Sequence, residues 1–567
     1  MAFKAHTHFF TTFSAAVLFS SCAQMATSSD QVSAPEIQPT TPVVAEELSG
    51  ESLFQLLLAE IATNRQQFGA AASLYSEIGE NHNDVAVIER ATALNQSIGD
   101  YPRMFSLTSR WVELRPDDAA ALRAHSLSAI ATGQLEIANT SIEHWMTKDP
   151  EADVSLLLPG LQNLTADQLT SVAGMLANLQ TQHKKSASLY YTRSRIALAL
   201  NDIDQAMKLA NESLAIHDNL QVNLFKFQLL QTVGKLDDAK TLISRLDKKH
   251  PENRQVAVQY ARFLFRNEPQ NLSALEKLHN RFSTEPTISR TYARAAFDAE
   301  DYDAAQAVYQ HLLELGYSDE AHYFLGRIDL VNAMTDSAIN HFESVQQSPF
   351  RSSAIAEWVS LARPEDEARI MIAIADSKQT LPEQAPVFWR LEANYFQLTD
   401  QNERAWTTLE QALVEFPESV PLLYDQAMIA ANEQRNDVME RNLVTILELE
   451  PNNINALNAL GYSWADTNKN LTLAGDYIDQ ALAAEPNNPA FQDSKGWHLY
   501  RIGKPTAALE WLQKAYSQME NDEVAAHIAE VLWVLDRKAE AKQFLQEIER
   551  INPSSRYLDI LKALFNE

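Results

Sequence analysis

Near its C-terminal end, the chain carries five side chains of the kinds that dominate protein-binding surfaces. They are Tyr462, Trp497, Tyr500, Arg501 and Trp533. Tyrosine, tryptophan and arginine are enriched at binding hot spots. Two interpretations of these residues stay open: the side chains line a groove that binds a protein partner, or they fill the gaps between neighbouring helices.

The sequence lacks the short motifs that accompany common catalytic and nucleotide-binding sites. It contains no G-x-x-x-x-G-K-[ST] loop, no H-E-x-x-H motif, no G-x-S-x-G elbow and no S-x-x-K motif. The 14 histidines are scattered, and the 75 acidic residues make chance carboxylate pairs inevitable. We therefore expect no enzymatic activity, no cofactor and no metal site.

The amino-acid composition further restricts the possible fold classes and the possible classes of partner. The formal net charge is −29, and an acidic surface repels the phosphates of nucleic acids. Only 14 of the 567 residues are glycine, although tight turns and phosphate-binding loops depend on glycine. The composition therefore favours an all-helical fold and disfavours both a nucleotide-binding α/β fold and a nucleic-acid partner.

The elements that position the candidate residues are indicated by the spacing of prolines. Pro116 and Pro150 lie 34 residues apart, and Pro417, Pro451 and Pro486 follow one another at intervals of 34 and 35 residues. Each closes an apolar helical segment, because proline lacks the N–H that a continuing helix needs. This interval resembles that of the tetratricopeptide repeat, which is a pair of antiparallel helices.

The residues between the prolines fit the same repeat. The first helix carries a Leu-Gly pair in Leu325-Gly326 and Leu460-Gly461, and small residues follow where two helices would touch. A single pair cannot bury its apolar face, so the pairs stack. We predict an all-α tetratricopeptide-repeat solenoid of roughly 13–15 units. The predicted boundaries are residues 52–555 for the solenoid, with diverged units near 151–186 and 351–385, and residues 556–567 for a capping helix.

One known binding device of such repeats is a two-carboxylate clamp that grips the C-terminus of a partner chain. Arg390 and Asn394 match the first pair of that clamp. Asp425, Asn455 and Ala459 occupy the remaining places and do not match. We therefore expect no such clamp, and we retain Arg390 and Asn394 as candidate groove residues.

The N-terminal segment is typical of an export signal. Residues 1–21 contain Lys4 followed by a short apolar stretch, and Cys22 is the only cysteine of the chain. The four residues ending at Cys22, Phe-Ser-Ser-Cys, resemble a bacterial lipoprotein signal, which implies lipidation of Cys22 and an outer-membrane location facing the periplasm. The alternative is a small buried cysteine in an ordinary signal peptide. Residues 22–51, rich in Ser, Thr and Pro, are predicted to form a flexible tether.

Taken over residues 52–567, the chain resembles one family. It opens with SLFQLLLAEIATNRQQFGAAASLYSEI and closes with the QDSKGWHLYRIGKPTAALEWLQKAY region. It is similar to the outer-membrane tetratricopeptide lipoproteins of proteobacteria, typified by the adaptor of the periplasmic carboxyl-terminal processing protease. The resemblance implies a scaffold that binds the protease and presents peptidoglycan hydrolases for degradation. An assembly or export scaffold, for outer-membrane proteins or exopolysaccharide, and an enzyme acting on peptidoglycan or glycan stay open as alternatives.

Overall fold

The computed structural model describes residues 49–347 and 349–565. The predicted signal segment, Cys22 and nearly all of the predicted tether lie outside these residues. Within the described residues the fold is all-α, without any β-strand. The chain divides into two compact units, the first ending at Glu268 and the second beginning at Pro269.

The first unit consists of short helices of similar length. Their bounds are α1 (Gly50–Asn64), α2 (Phe68–Asn81), α3 (Val85–Ile98), α4 (Tyr101–Leu114), α5 (Ala119–Ala131), α6 (Leu135–Lys148), a 3₁₀ helix (Val154–Leu161), α7 (Ala166–Gln182), α8 (Ala187–Ala199), α9 (Ile203–Ile216), α10 (Leu220–Thr232), α11 (Leu236–Lys249) and α12 (Arg254–Asn267). Successive helices pack as pairs, and each pair packs on the next.

The second unit continues the same pattern. Its α-helices are α13 (Leu272–Arg281), α14 (Pro286–Asp298), α15 (Tyr302–Glu314), α16 (Ser318–Val331), α17 (Thr335–Ser344), α18 (Arg351–Ser360), α19 (Glu367–Thr380), α20 (Ala385–Leu398), α21 (Asn402–Glu415), α22 (Val420–Asn432), α23 (Asn436–Leu449), α24 (Ile454–Asp466), α25 (Leu471–Ala484), α26 (Pro489–Arg501), α27 (Pro505–Tyr516), α28 (Asp522–Val534), α29 (Lys538–Ile551) and α30 (Arg556–Leu564). Two 3₁₀ turns, Pro364–Asp366 and Pro382–Gln384, flank α19.

Local sequence explains where the helices begin. The side chains of Asp84, Asp118, Asn453 and Asn488 precede α3, α5, α24 and α26, and each accepts a hydrogen bond from a backbone N–H in the first turn of its helix. Such caps satisfy donors that have no partner within the helix.

The turn inside a helix pair contains a residue with left-handed backbone. Gly133 (φ 76°) occupies it between α5 and α6, whereas Asp400 (φ 59°), Gln434 (φ 61°) and Asn468 (φ 57°) occupy it in later pairs. Because polar residues fill many of these turns, the array is built with little glycine.

Small residues allow the two helices of a pair to approach closely. A Cβ atom on Gly326 would lie 2.6 Å from the ring of Phe342, and one on Gly461 would lie 2.9 Å from the backbone oxygen of Ala474. Ala405 is fully buried at the contact of α21 with its neighbours. These contacts confirm that the Leu-Gly pairs mark the close approach of two helices.

The second unit contains a buried arginine where the repeat pattern is least regular. Arg351 begins α18, and its Nε donates to Ser377 Oγ at 2.9 Å while Nη2 donates to the backbone oxygen of Ala373 at 3.2 Å. Nη1 donates to the backbone oxygen of Val345. Burial lowers the pKa of Arg351. The side chain thus joins the end of α17, the start of α18 and the middle of α19.

None of the helices within residues 49–347 and 349–565 is both long enough and apolar enough to cross a bilayer.

Candidate functional site

Four first helices of the last repeats, α24, α26, α28 and α30, carry most of the predicted binding residues. We call their shared surface the C-terminal first-helix face. It is formed by Tyr462, Asp466, Asp493, Trp497, Tyr500, Arg501, Glu523, His527, Glu530, Arg556 and Tyr557. Helix α24 packs on α26, and α28 packs on both α26 and α30, so residues one repeat apart become neighbours.

His527 lies at the centre of this face. It is buried, and its Nδ1 lies 2.9 Å from Asp493 Oδ1 in the preceding repeat. The ring of Trp497 stacks on the imidazole with centroids 4.0 Å apart. Burial disfavours the charged imidazolium, but the Asp493 carboxylate, with Glu523 and Asp466 beyond it, outweighs that effect and raises the pKa of His527. A buried histidine–carboxylate pair, in which the carboxylate favours the charged imidazole, therefore joins α26 to α28.

Glu523 forms a second junction, which joins helices of three different repeats. Its Oε1 accepts a hydrogen bond from the hydroxyl of Tyr462 at 2.8 Å and another from the hydroxyl of Tyr557 at 2.7 Å. Tyr462 also lies 3.3 Å from His527 Nε2. Burial, followed by the field of Glu523, raises the pKa of Tyr462 well above its ordinary value. Both phenols thus stay protonated and serve as donors to one carboxylate.

The rim of the face carries the groups that remain accessible to solvent. Trp497 Nε1 donates to Asp466 Oδ1 at 3.1 Å, and Arg501 Nη2 donates to the backbone oxygen of Asp466 at 2.9 Å. The hydroxyl of Tyr500 donates to Glu530 Oε1 at 3.0 Å, and burial with this carboxylate raises the pKa of Tyr500 to about 12. The indole of Trp497, by contrast, is only 4% exposed. Trp497 therefore packs between repeats, while Arg501 and Asp466 reach the surface.

Trp533 lies apart from this cluster although it belongs to the same helix as His527. Its indole stacks on Phe565 with centroids 4.2 Å apart, and Lys538 Nζ lies 5.0 Å from its ring centroid. Because Phe565 directly follows α30, Trp533 packs the end of the array.

Arg390 and Asn394 belong to α20 and are not among the contacts of the C-terminal first-helix face. Arg390 makes a two-pronged ion pair with Asp425 of α22, with Nε–Oδ2 and Nη2–Oδ1 distances of 2.5 and 3.2 Å. Asn394 is exposed. Asp425, one of the three residues that do not match the carboxylate clamp, thus binds the guanidinium that a partner's carboxylate would otherwise contact.

Several residues of the face were not among those that the sequence singled out. Asp493 with His527, and Glu523 with Tyr557, are each exactly one repeat, 34 residues, apart. Two complementary polar residues that lie one repeat interval apart on first helices could therefore have been predicted to contact each other. The partners Asp466 and Glu530 carried no such signal, because their contacts depend on side-chain direction.

The chemistry of the face is that of recognition by paired polar groups. Within the described ranges, no cluster of three or more His, Cys, Asp or Glu side chains is arranged to hold a metal ion. The rim presents both signs of charge, since it combines exposed Arg556 and Asp466 with half-buried Arg501 and Glu530. Such a mixture suits the polar rim of a protein–protein interface.

The family comparison bears on this same region. The model described as "Tetratricopeptide repeat" matches residues 292–349 and 470–526. In these two segments the chain carries tetratricopeptide repeats. The second matched segment contains Trp497, Tyr500 and Arg501, so three of the predicted groove residues lie within a recognised repeat. The predicted all-α tetratricopeptide-repeat solenoid is confirmed, and proteins with these repeats in general bind other proteins.

A curated relative spans most of the chain. It is the "TPR repeat-containing protein PA4667" of Pseudomonas aeruginosa, which is 28% identical over 490 residues, covering 85% of this chain and 82% of the relative. Among solved structures, yeast Tom70 is 14% identical and covers 91% of this chain and 99% of its own, with a TM-score of 0.34. The Cut9–Hcn1 tetramer of the APC/C gives 14% identity, coverage of 92% and 97%, and a TM-score of 0.31.

Proposed function

We propose that this chain is a non-enzymatic adaptor that binds a periplasmic carboxyl-terminal processing serine protease and presents peptidoglycan hydrolases to it. The observation that carries the proposal is the C-terminal first-helix face, where a buried polar network supports a partly exposed rim of Arg501, Arg556, Asp466 and Glu530. A rim held by buried pairs loses little side-chain freedom on binding, which favours affinity. The choice of partners rests on the family resemblance.

An adaptor of this kind acts through concentration rather than chemistry. A repeat array offers an extended surface on which two proteins can sit together. Holding a protease and its substrate on one array converts their encounter into an intramolecular step, and the gain requires no new catalytic group.

The anchor is part of the proposal. Cys22, which lies outside the described residues, would carry the lipid, and the predicted tether would connect it to α1, which begins at Gly50, two residues before the predicted start of the solenoid. A lipoprotein cysteine bears more than one acyl chain, which suffices for stable attachment to a bilayer. A flexible segment of that length spans about 30 Å on average, so the array can reach partners near the outer membrane.

A pull-down from detergent-solubilised envelopes with the tagged chain, followed by mass spectrometry, tests the partners. Recovery of a periplasmic serine protease together with peptidoglycan hydrolases supports the adaptor. Recovery of barrel-assembly or polysaccharide-export proteins instead would replace it with the alternative scaffold.

A reconstituted assay tests the role of the face. The protease should degrade a hydrolase faster when the chain is present, and the chain alone should show no turnover. Arg501→Glu combined with Arg556→Glu should remove the acceleration, because it leaves the rim with one sign of charge. Lys542→Glu, at an exposed position of the second helix α29, is the matched control and should have no effect. If both variants accelerate degradation of the hydrolase equally, the partner binds at a surface other than the C-terminal first-helix face.

Labelling with a fatty-acid probe tests the anchor separately. Cys22→Ser should abolish labelling and release the chain from membranes. Labelling that persists in the variant would exclude Cys22 as the lipid site while leaving the adaptor role open.

A further inference from the structure

Helix α1 has an apolar face that no described part of the chain covers. The exposed fractions are 56% for Leu53, 59% for Phe54, 58% for Leu57, 38% for Leu58 and 40% for Ile61. The opposite side of α1, including Ala59 and Ala62, is buried. At 100° per residue the five exposed side chains fall within one arc of about 140°. Together they form a continuous apolar stripe, which we call the α1 stripe.

The two ends of the array differ in this respect. At the C-terminal end, α30 buries Leu558 and Leu561 against α28 and so covers the last repeat. At the N-terminal end, α1 is the first described helix. Other first helices pack one side against the preceding repeat, whereas in α1 that side faces solvent. A large exposed apolar patch of this kind marks an interaction site.

Two charges at the ends of α1 indicate which occupant fits the α1 stripe. Glu51 and Arg65 are exposed, and neither has an ion-pair partner within the described residues. Fourteen residues separate them, so they lie about 21 Å apart along the axis and on the same edge of the stripe, within about 40° of each other. The midpoint between them is residue 58, which belongs to the stripe.

We infer that the α1 stripe binds α1 of a second copy of this chain in an antiparallel, two-fold symmetric pair. A two-fold axis perpendicular to the helices near Leu57 and Leu58 places each Glu51 opposite Arg65 of the second copy. The same axis brings Phe54 of one copy beside Ile61 of the other. A parallel two-fold pair would instead place the like charges at the same height on opposite edges of the interface, so that no Glu51–Arg65 pair could form.

Glu60, the remaining charged residue beside the stripe, is compatible with the antiparallel pair. Glu60 accepts a hydrogen bond from the hydroxyl of Tyr75 and lies 3.5 Å from Arg90 Nη2 in an ion pair. Its carboxylate is therefore already compensated within its own copy. The inference stands on α1 alone and does not depend on the proposed adaptor function, to which it adds a second copy of every binding surface.

Sedimentation equilibrium of the whole chain carrying Cys22→Ser, which cannot be lipidated, tests the pairing. We expect a concentration-dependent monomer–dimer equilibrium. Leu57→Asp should leave only monomer, because it brings two carboxylates together near the axis. Val414→Asp, at an isolated valine of α21 that is 86% exposed, is the control and should dimerise like the parent. Circular dichroism of each variant verifies that the helices are intact.

Charge reversal tests the antiparallel register. Glu51→Arg and Arg65→Glu should each weaken dimerisation about tenfold, because each replaces two attractive pairs by two repulsive ones. The two changes combined restore opposite charges and should recover the parental dissociation constant. Failure of the combined variant to recover overturns the antiparallel pairing.

Other occupants of the stripe give distinct results. A chain that stays monomeric at the highest concentrations overturns the inference, whether residues 23–48 of the same chain or another surface covers the stripe. Deletion of residues 23–48 then tests whether this segment covers the stripe, and binding of the chain to phospholipid vesicles tests whether a lipid surface does. A dimer that survives Leu57→Asp overturns the inference equally, since its interface lies elsewhere.

Discussion

The indole of Trp497 lies on the imidazole of His527, with ring centroids 4.0 Å apart and ring planes 20° apart. The two residues come from neighbouring repeats, so the contact ties α26 to α28. At the edge of the ring, Nδ1 of the imidazole lies 2.9 Å from the carboxylate of Asp493. When the imidazole is protonated, cation–π attraction to the indole and ionic attraction to the carboxylate both stabilise the junction.

Trp497→Ala should destabilise the last repeats. The indole is almost completely buried and donates a hydrogen bond to Asp466, and removing such a side chain typically costs about 3–5 kcal/mol. Because each repeat contacts mainly its neighbours, hydrogen exchange should accelerate in α24–α28 and stay unchanged in α3–α6. Unchanged protection in α24–α28 would show that Trp497 does not hold the junction. Trp497→Phe keeps an aromatic ring and should lose less stability than Trp497→Ala.

His527 should make the last repeats less stable at high pH. Its folded pKa is raised above the ordinary 6.5 by Asp493 and Glu523 despite burial. The contribution of the charged form is therefore fully present below about pH 6.5 and is lost as the pH rises through the raised pKa. The difference in unfolding free energy between the parent and His527→Gln should shrink from pH 6 to pH 9. A difference that grows over this range would show that the neutral imidazole is the stabilising form.

His341 should give the opposite pH dependence. Its Nδ1 lies 2.9 Å from Nδ1 of His322, and burial lowers the pKa of both rings. The neutral pair is favoured in the folded state, so its contribution is present above about pH 6.5 and is lost as the pH falls. The parent should lose stability relative to His341→Gln between pH 7 and pH 5. Chemical denaturation followed at each pH measures both histidines in one series.

Gly461→Ala should destabilise the contact between α24 and α25. The added Cβ would lie 2.8 Å from Ile478 and 2.9 Å from the backbone oxygen of Ala474, and relieving such overlap typically costs about 1–3 kcal/mol. Gly174→Ala is the matched control, because nothing lies within 4 Å of its Cβ in the middle of α7. There alanine should stabilise the helix by about 0.5–1 kcal/mol. Thermal unfolding of the two variants should thus shift in opposite directions.

Ala405→Asp should disrupt the second unit locally. Ala405 is fully buried among α20–α22, and a carboxylate there loses its hydration without gaining a partner, which costs several kcal/mol. Thr407→Asp, two residues later on the exposed side of α21, introduces the same group in water and should change stability little. Limited proteolysis should cut near α21 in the first variant only. Equal resistance of both would contradict the packing of α21.

Much of the fold was predictable because it is repetitive and local. The 34-residue interval of prolines, the Leu-Gly pairs and the small residues after them predicted helix pairs, and the structure contains them. Local periodicity suffices for this, since each helix packs mainly on its sequence neighbours and few distant contacts intervene.

The candidate site was predictable only in part. Residue type and register on the first helices indicated Tyr462, Trp497, Tyr500 and Arg501, and the structure brings these four together. The same reasoning also predicted Trp533 and Arg390 as groove residues. In the structure Trp533 packs on Phe565, and Arg390 forms an ion pair with Asp425. Type and register do not specify burial, so a tryptophan that binds and one that fills a gap have the same signature in sequence.

By itself the sequence determined the helical class, the repeat interval and the residues available on each first helix, because these follow from hydrophobic periodicity and from proline and glycine chemistry. The repeat interval indicated the pairs Asp493–His527 and Glu523–Tyr557, but only the tertiary structure decided that Glu523 also accepts from Tyr462 and that Asp466 and Glu530 accept from Trp497 and Tyr500. It also decided that Trp497 is buried and that the apolar residues of α1 are exposed. The physical reason is that burial and pairing depend on how neighbouring helices rotate and approach, and a one-dimensional pattern does not contain that rotation.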